Sequence, residues 1–277
     1  MREIDLHVHT TASDGTAHPE EVVRLAKECG LRAIAITDHD TISGYAGAFS
    51  AGEDLGVEVV PGIEVSTKYG VSVHVLGYYL ENLVPLLEDV VYDRDRRNAK
   101  VAALMAADGL PVSYKKMKER FGAVIGRPHF GELLIEFGLA KDMNDAFERF
   151  VGKGKKYYVP RTTISIEDSV DAIVASGGVP VLAHPFQYNK SDTELRELIE
   201  LCMDHGLRGI ECRYSGYGPE QVAYLEKLAE EYRLVKTGGS DYHGSHKAHI
   251  ALGSGIDGNL EVPYEWLERL KAEAKPQ

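Results

Sequence analysis

Residues 3–15, EIDLHVHTTASDG, set two histidines two apart at the end of an apolar stretch, with an aspartate five residues after the second. Side chains alternate faces along a β-strand, so Asp5, His7 and His9 share one face while Ile4, Leu6 and Val8 share the other. Two imidazoles therefore point the same way, as the first fragment of a metal site requires. A lone His-x-His in a strand is commonly incidental, so the reading turns on where the other nine histidines fall.

A chain of 277 residues suits one large α/β domain, or a domain with an insertion, and can bury a sizeable core. Its 44% hydrophobic and 27% charged residues are those of a soluble globular protein. No apolar run reaches membrane-spanning length and the first residues enter a charged strand, so a cytoplasmic location without a signal peptide is expected. Cys29, Cys202 and Cys212 are odd in number and form no CxxC, which predicts reduced thiols and leaves any metal to His and carboxylate. The net charge of −12 argues against broad nonspecific nucleic-acid binding, but it is unevenly spread. Residues 94–161 carry +7 while the rest of the chain carries −19.

Seven short apolar runs read as strands: IDLHVHT, AIAITDHD, VEVVPGIEVS, VSVHVLGYYL, VPVLAHP, GIECRY and LVKTGGSDYH. Between the first two, HPEEVVRLAKECG has a proline and two glutamates in its first turn, an apolar stripe and Gly30 as a stop, which makes it a crossover helix. Residues 43–55, 166–177, 192–205 and 219–232 read as further helices, each ending just before a strand, so the order is mostly βαβα with parallel strands. STKYG, between strands three and four, is too short for a crossover and predicts an antiparallel or irregular pair. From 82 to 160 the alternation gives way to helical patterns with no strand before KKYYVP. The expected division is therefore a barrel of residues 1–81 and 161–277, with a helical insertion over 82–160.

Set against those strands, the chemistry-bearing residues gather. His7 and His9 end strand one, with Asp14 in the loop beyond; Asp38 and His39 end strand two and Glu64 ends strand three. His74 lies in strand four, His184 ends strand five, and Asp241 and His243 end strand seven. The carboxyl ends of the strands form the catalytic rim of a β/α barrel. Imidazole and carboxylate donors there suit zinc, manganese or iron.

The ordered motifs HVHTTASDG (7–15), TDHDT (37–41), PGIEVS (61–66), His74, AHP (183–185) and GSDYH (239–243) resemble the polymerase and histidinol phosphatase (PHP) family of metal-dependent phosphoesterases. That resemblance implies a distorted seven-stranded β/α barrel with two or three divalent ions (Mn, Fe or Zn) at its rim. It implies His7, His9, Glu64 and Asp241 on one ion, Glu64 as a bridge with His74 and His184 on a second, and Asp14, His39 and His243 on a third. Some branches of the family carry histidine at the position of Asp14.

GRPHFGELL (126–134) followed by FVGKGKKYYVPR resembles the inserted domain of the branch containing nucleoside 3′,5′-bisphosphate phosphatase and 5′-to-3′ exoribonucleases. Arg127 offers a planar fork for phosphate oxygens, and His129 a further donor. Tyr157 or Tyr158 offers a ring to a base, or belongs to the core. The expectation is a phosphohydrolase acting on a small anionic nucleotide or short oligonucleotide, with no membrane and no stable nucleic-acid complex. Histidinol phosphate hydrolysis and a non-catalytic metal-binding PHP module are the competing readings; the basic insertion disfavours the first and the full donor set the second.

Overall fold

A computed structural model describes residues 3–80, 85–122, 124–160 and 164–274. The elements run β1 Ile4–Val8, α1 Pro19–Glu28, β2 Ala33–Ile36, α2 Tyr45–Leu55, β3 Glu58–Tyr69 and β4 Val71–Tyr78. Then come α3 Pro85–Ala107, α4 Tyr114–Phe121, α5 Arg127–Glu136, α6 Met143–Ala146 and a π-helical turn Phe147–Val151. The chain continues with β5 Ile164–Ser165, α7 Ile166–Ala175, β6 Val179–Leu182, α8 Asp192–Asp204, β7 Gly209–Tyr214, α9 Pro219–Tyr232, β8 Val235–Gly239 and α10 Tyr264–Ala274.

Seven strands form a nearly closed barrel in the order β1-β2-β3-β4-β6-β7-β8, with the two-residue β5 paired outside it to β3. The ends meet where Asp241 N–H donates to the His7 carbonyl (2.8 Å) and His9 N–H to the Tyr242 carbonyl (2.9 Å). Gly239 permits this approach: a Cβ there would lie 2.4 Å from both the Cβ and the backbone nitrogen of His7. Asp5 ties the seam, accepting from Ser240 N–H (2.8 Å) and Gly253 N–H (2.8 Å).

The seven expected strands are present, and the predicted βαβα order holds on both sides of the insertion. β3 and β4 form an antiparallel hairpin turned at Gly70. β4 is also antiparallel to β6, so it runs against every other barrel strand. This reversal explains His74: the amino-terminal half of β4 lies at the rim where the other strands end. KKYYVP forms turns and coil instead of a strand, with Tyr157 drawn into the insertion's apolar cluster. The ends of the expected insertion at 81–82 and at 161 fall outside the described residues. Between them, α3 to the π-helical turn bury a cluster of their own around Met105, Ile125, Phe130 and Leu134. The barrel core centres on Leu6, Ile63, Val75, Val181 and Ile210.

Candidate metal centre

Strand direction and turn geometry deliver nine donor side chains to one rim. His7 and His9 extend from the same face of β1. His39, beyond β2, is bridged to Glu64 in β3, and Glu64 stands diagonally across the hairpin from His74, whose direct partner is Ser66. His184 and Asp241 have positive φ, 24° and 57°, conformations that cost a non-glycine residue free energy and recur where a side chain must be aimed.

Glu64 is the hub. Its Oε1 lies 2.7 Å from His74 Nδ1 and 2.9 Å from His184 Nε2. Its Oε2 lies 3.0 Å from His39 Nδ1, 3.2 Å from His9 Nε2 and 3.4 Å from His7 Nε2. Asp241 Oδ1 lies 3.3 Å from both His9 Nε2 and His243 Nδ1, and Asp14 Oδ1 lies 3.3 Å from His243 Nε2. Four overlapping groups bring their donor atoms within 4.8 Å: His9, Asp14, His39 and His243; His7, Glu64 and His184; His7, His9 and Asp241; His39, Glu64 and His74. All nine expected residues fall in these groups. His9 stands with the Asp14 group as well as with Asp241, and Glu64 divides between two.

Burial alone would raise the three carboxyl groups. The surrounding charges outweigh it, chiefly His39 for Glu64 and Asp14 and Lys247 for Asp241, and hold all three well below the usual range. Burial also opposes protonation of His9, but Asp241 and Glu64 bring it up to about 9. His74 and His243 are pushed down to about 4, mainly by burial. His7 Nε2, both ring nitrogens of His9 and His184 Nδ1 are buried without a well-directed hydrogen bond. Bare buried nitrogens facing anionic carboxylates are costly unless a cation joins them, so this donor set fits divalent metal.

A second layer holds the donors. Glu211 accepts from His7 Nδ1 (3.0 Å) and from the backbone N–H of His184 (2.7 Å), leaving His7 Nε2 for the cluster. Tyr214 and Lys247 both donate to Asp241 Oδ2, at 2.8 and 2.5 Å, which reserves Oδ1 for the histidines. Asp38 accepts from Thr10 and Ser13 and shapes the β1 loop. Asp40 is clamped by Ser66 N–H and by Arg94 from α3. Sequence reading missed Glu211, Arg94, Asp40 and Lys247: the first three act through partners distant in the chain, and Lys247 through a turn that folds it back onto Asp241 six residues earlier; the buried-strand position of Glu211 was the one available signal.

The insertion meets this rim at the start of α5. A Cβ on Gly126 would lie 2.9 Å from Asp14 Cβ, so the helix begins against the Asp14 side chain. Arg127 follows, exposed, its guanidinium 5.6 Å above the Phe147 ring and free of ion pairs among the described residues. His129 is buried and its Nδ1 accepts from Gly126 N–H (2.9 Å), which puts the ring proton on Nε2 as a donor. Tyr157 takes the core alternative, buried with its hydroxyl on Asp108 (2.6 Å). Lys156 pairs with the same Asp108, while Lys153 and Lys155 are exposed.

A family model described as PHP domain matches residues 5–272. The chain is 32% identical over 261 residues to the 5′-3′ exoribonuclease of Haemophilus influenzae, covering 92% of this chain and 95% of that protein. It is 31% identical over 250 residues to the 3′,5′-nucleoside bisphosphate phosphatase of Chromobacterium violaceum, covering 88% of each. Among solved structures, a candidate metal-dependent phosphoesterase of Bifidobacterium adolescentis matches with a TM-score of 0.86 at 30% identity, over 99% of this chain and 97% of that one. No helix among the described residues is long and apolar enough to cross a membrane. With the family's model spanning nearly the whole sequence and relatives alike over nearly their whole length, the chain belongs to the PHP family of metal-dependent phosphoesterases.

Proposed function

We propose that this enzyme removes a phosphate from a nucleotide, either a nucleoside 3′,5′-bisphosphate or the 5′ end of a short oligonucleotide, in the cytoplasm. The observation that carries the reading is the start of α5 against Asp14, followed at once by Arg127, whose guanidinium has no ion pair among the described residues, and by His129 with its proton on Nε2. A substrate with one phosphate at the rim and another anionic group a few ångströms away uses both features. The names of the relatives, an exoribonuclease and a bisphosphate phosphatase, support the same class. Cys202 and Cys212 are buried free thiols, which accords with a reducing compartment.

The residues proposed to hold two or three divalent ions (manganese, iron or zinc) are His7, His9, Glu64 and Asp241; Glu64, His74 and His184; and Asp14, His39 and His243. Bound there, such ions supply positive charge to phosphoryl oxygens and acidify water for in-line attack. Glu64, touched by five imidazoles, spaces the donor groups. Glu211 keeps the His7 proton on Nδ1, so the other nitrogen stays a donor to the cluster. Arg127 binds two phosphate oxygens through its fork, and His129 orients a third by donating from Nε2. Residues 82–160 thus contribute phosphate recognition and the barrel contributes the reacting site.

Parallel turnover of adenosine 3′,5′-bisphosphate, a 5′-phosphorylated oligonucleotide and histidinol phosphate by the metal-loaded enzyme tests the proposal. One of the two nucleotide substrates should exceed histidinol phosphate in kcat/KM by at least about a hundredfold, roughly 3 kcal/mol. Preference for histidinol phosphate, or no turnover of any of the three, overturns it.

A further inference from the structure

His246 lies in the short turn Gly244–Lys247 after β8 and belongs to none of the donor groups. Its Nδ1 is 2.8 Å from the backbone carbonyl of Asp14, and its Nε2 is 3.2 Å from Glu132 Oε2 on α5. One ring therefore spans the gap between the metal-site loop and the insertion. Glu132 is held in turn by Arg120 of α4 (3.0 Å), which also pairs with Glu136 (2.7 Å). The Arg120 guanidinium sits 4.7 Å over the Phe121 ring, Phe121 lies 4.8 Å from His129, and His129 meets His246 edge-on at 5.5 Å. These contacts close a ring of five side chains, His246, Glu132, Arg120, Phe121 and His129, two of them on α5.

The ring has a mechanical consequence. α5 meets the barrel at its N-cap, where Gly126 lies against Asp14, and a helix tied to the barrel at one point can still pivot against it. The Glu132–His246 contact, one and a half turns further on, supplies a second point on the same loop, because both contacts end on Asp14. Two points fix the direction of the axis, and with it the position of Arg127 and His129 relative to the rim.

We propose that His246, through Glu132, is a positioning residue that sets the distance between the two phosphate-binding parts of the site, and so determines preference for doubly anionic nucleotides. The inference rests on the proposed role of Arg127 and His129. Losing a span-setting contact weakens binding of a substrate that uses both parts and leaves untouched one that uses the rim alone.

The test uses the full-length, metal-loaded enzyme with His246→Ala, Glu132→Ala, Glu132→Gln and the double alanine variant. For adenosine 3′,5′-bisphosphate, both alanine variants should raise KM about tenfold with kcat within about twofold. The double variant should be no worse than either single one, as for two members of one contact. Glu132→Gln, which keeps an acceptor oxygen, should recover to within about threefold. 4-Nitrophenyl phosphate turnover and metal content should stay unchanged. Equal losses on both substrates, or additive losses in the double variant, overturn the proposal. Amide hydrogen exchange over residues 126–136 reads the latch without substrate: His246→Ala should accelerate it, and unchanged exchange overturns the latch. If wild-type enzyme fails to hydrolyse the bisphosphate, or Arg127→Lys leaves its turnover untouched, the functional reading fails, and the exchange result still decides whether His246 holds the helix.

Discussion

Glu64 accepts the approach of five imidazoles on its two oxygens, a concentration of contacts that no other carboxylate in the chain has among the described residues. Glu64→Gln preserves size and removes the charge, so each nearby imidazole loses an anionic neighbour and the groups containing His7 with His184 and His39 with His74 lose their carboxylate. Elemental analysis should find metal content reduced by at least half, and kcat/KM should fall about a thousandfold, roughly 4 kcal/mol. Full metal content and full activity would remove Glu64 from the site. Glu211 acts at one remove. Glu211→Gln can present its NH2 to His7 Nδ1 and push the ring proton to Nε2, the wrong nitrogen, so metal affinity should drop by about ten- to a hundredfold by competition with a chelator. An unchanged affinity would make Glu211 only a barrel-filling residue.

At the scale of elements, the seam between β1 and β8 is where fold and site coincide. A methyl group on Gly239 would collide with backbone and Cβ atoms of His7, neither of which can swing away. Gly239→Ala should therefore destabilise the barrel by about 3 kcal/mol, lower Tm, and displace the His7 ring; thermal unfolding of the chelated protein checks the first effect and metal titration the second. The first turn of α5 carries a pH signature. Burial holds His129 down to about 4 from its ordinary 6.5, and its Nδ1 must stay bare to accept from Gly126. Between pH 6.5 and 4 the unfolded chain binds more protons at this residue, so its contribution to stability is lost as pH falls through that window. His129→Asn, which can keep the accepting oxygen without titrating, should flatten the wild-type decline by up to about 3 kcal/mol; parallel declines in denaturant unfolding would refute this. The alternation in β1 made His7 and His9 legible as a pair, and the seven apolar runs were legible as strands. The reversal against β6 was not, since strand pairing is decided by partners a hundred residues away. Arg94, Lys247 and His246 were unreadable because an isolated cationic or imidazole side chain looks like any solvated group until folding sets it beside Asp40, Asp241 or Glu132.

The whole molecule divides its charge, with +7 over residues 94–161 and −19 elsewhere, and the cationic segment meets the rim at the start of α5 and at Arg94. On the proposed reading, that arrangement would steer an anionic substrate toward the insertion and leave the carboxylate-rich barrel to the metals. Arg127→Lys tests whether the arrangement is used. The charge survives but the planar fork is lost, and the substitution removes a bidentate contact without touching any of the nine donor residues. For adenosine 3′,5′-bisphosphate, kcat/KM should fall by about ten- to a hundredfold, roughly 1.4 to 2.7 kcal/mol, provided the contact forms in the transition state. A minimal aryl phosphate, which reaches the rim without reaching α5, should lose less than about threefold, and metal content should not change. Ionic strength separates geometry from field: raising salt should depress bisphosphate turnover in wild type and Arg127→Lys alike, because both keep the charge, while the gap between them should persist. A gap that closes with salt would mean that Arg127 works as a diffuse charge, and no gap at all would leave the insertion without a direct part in recognising phosphate.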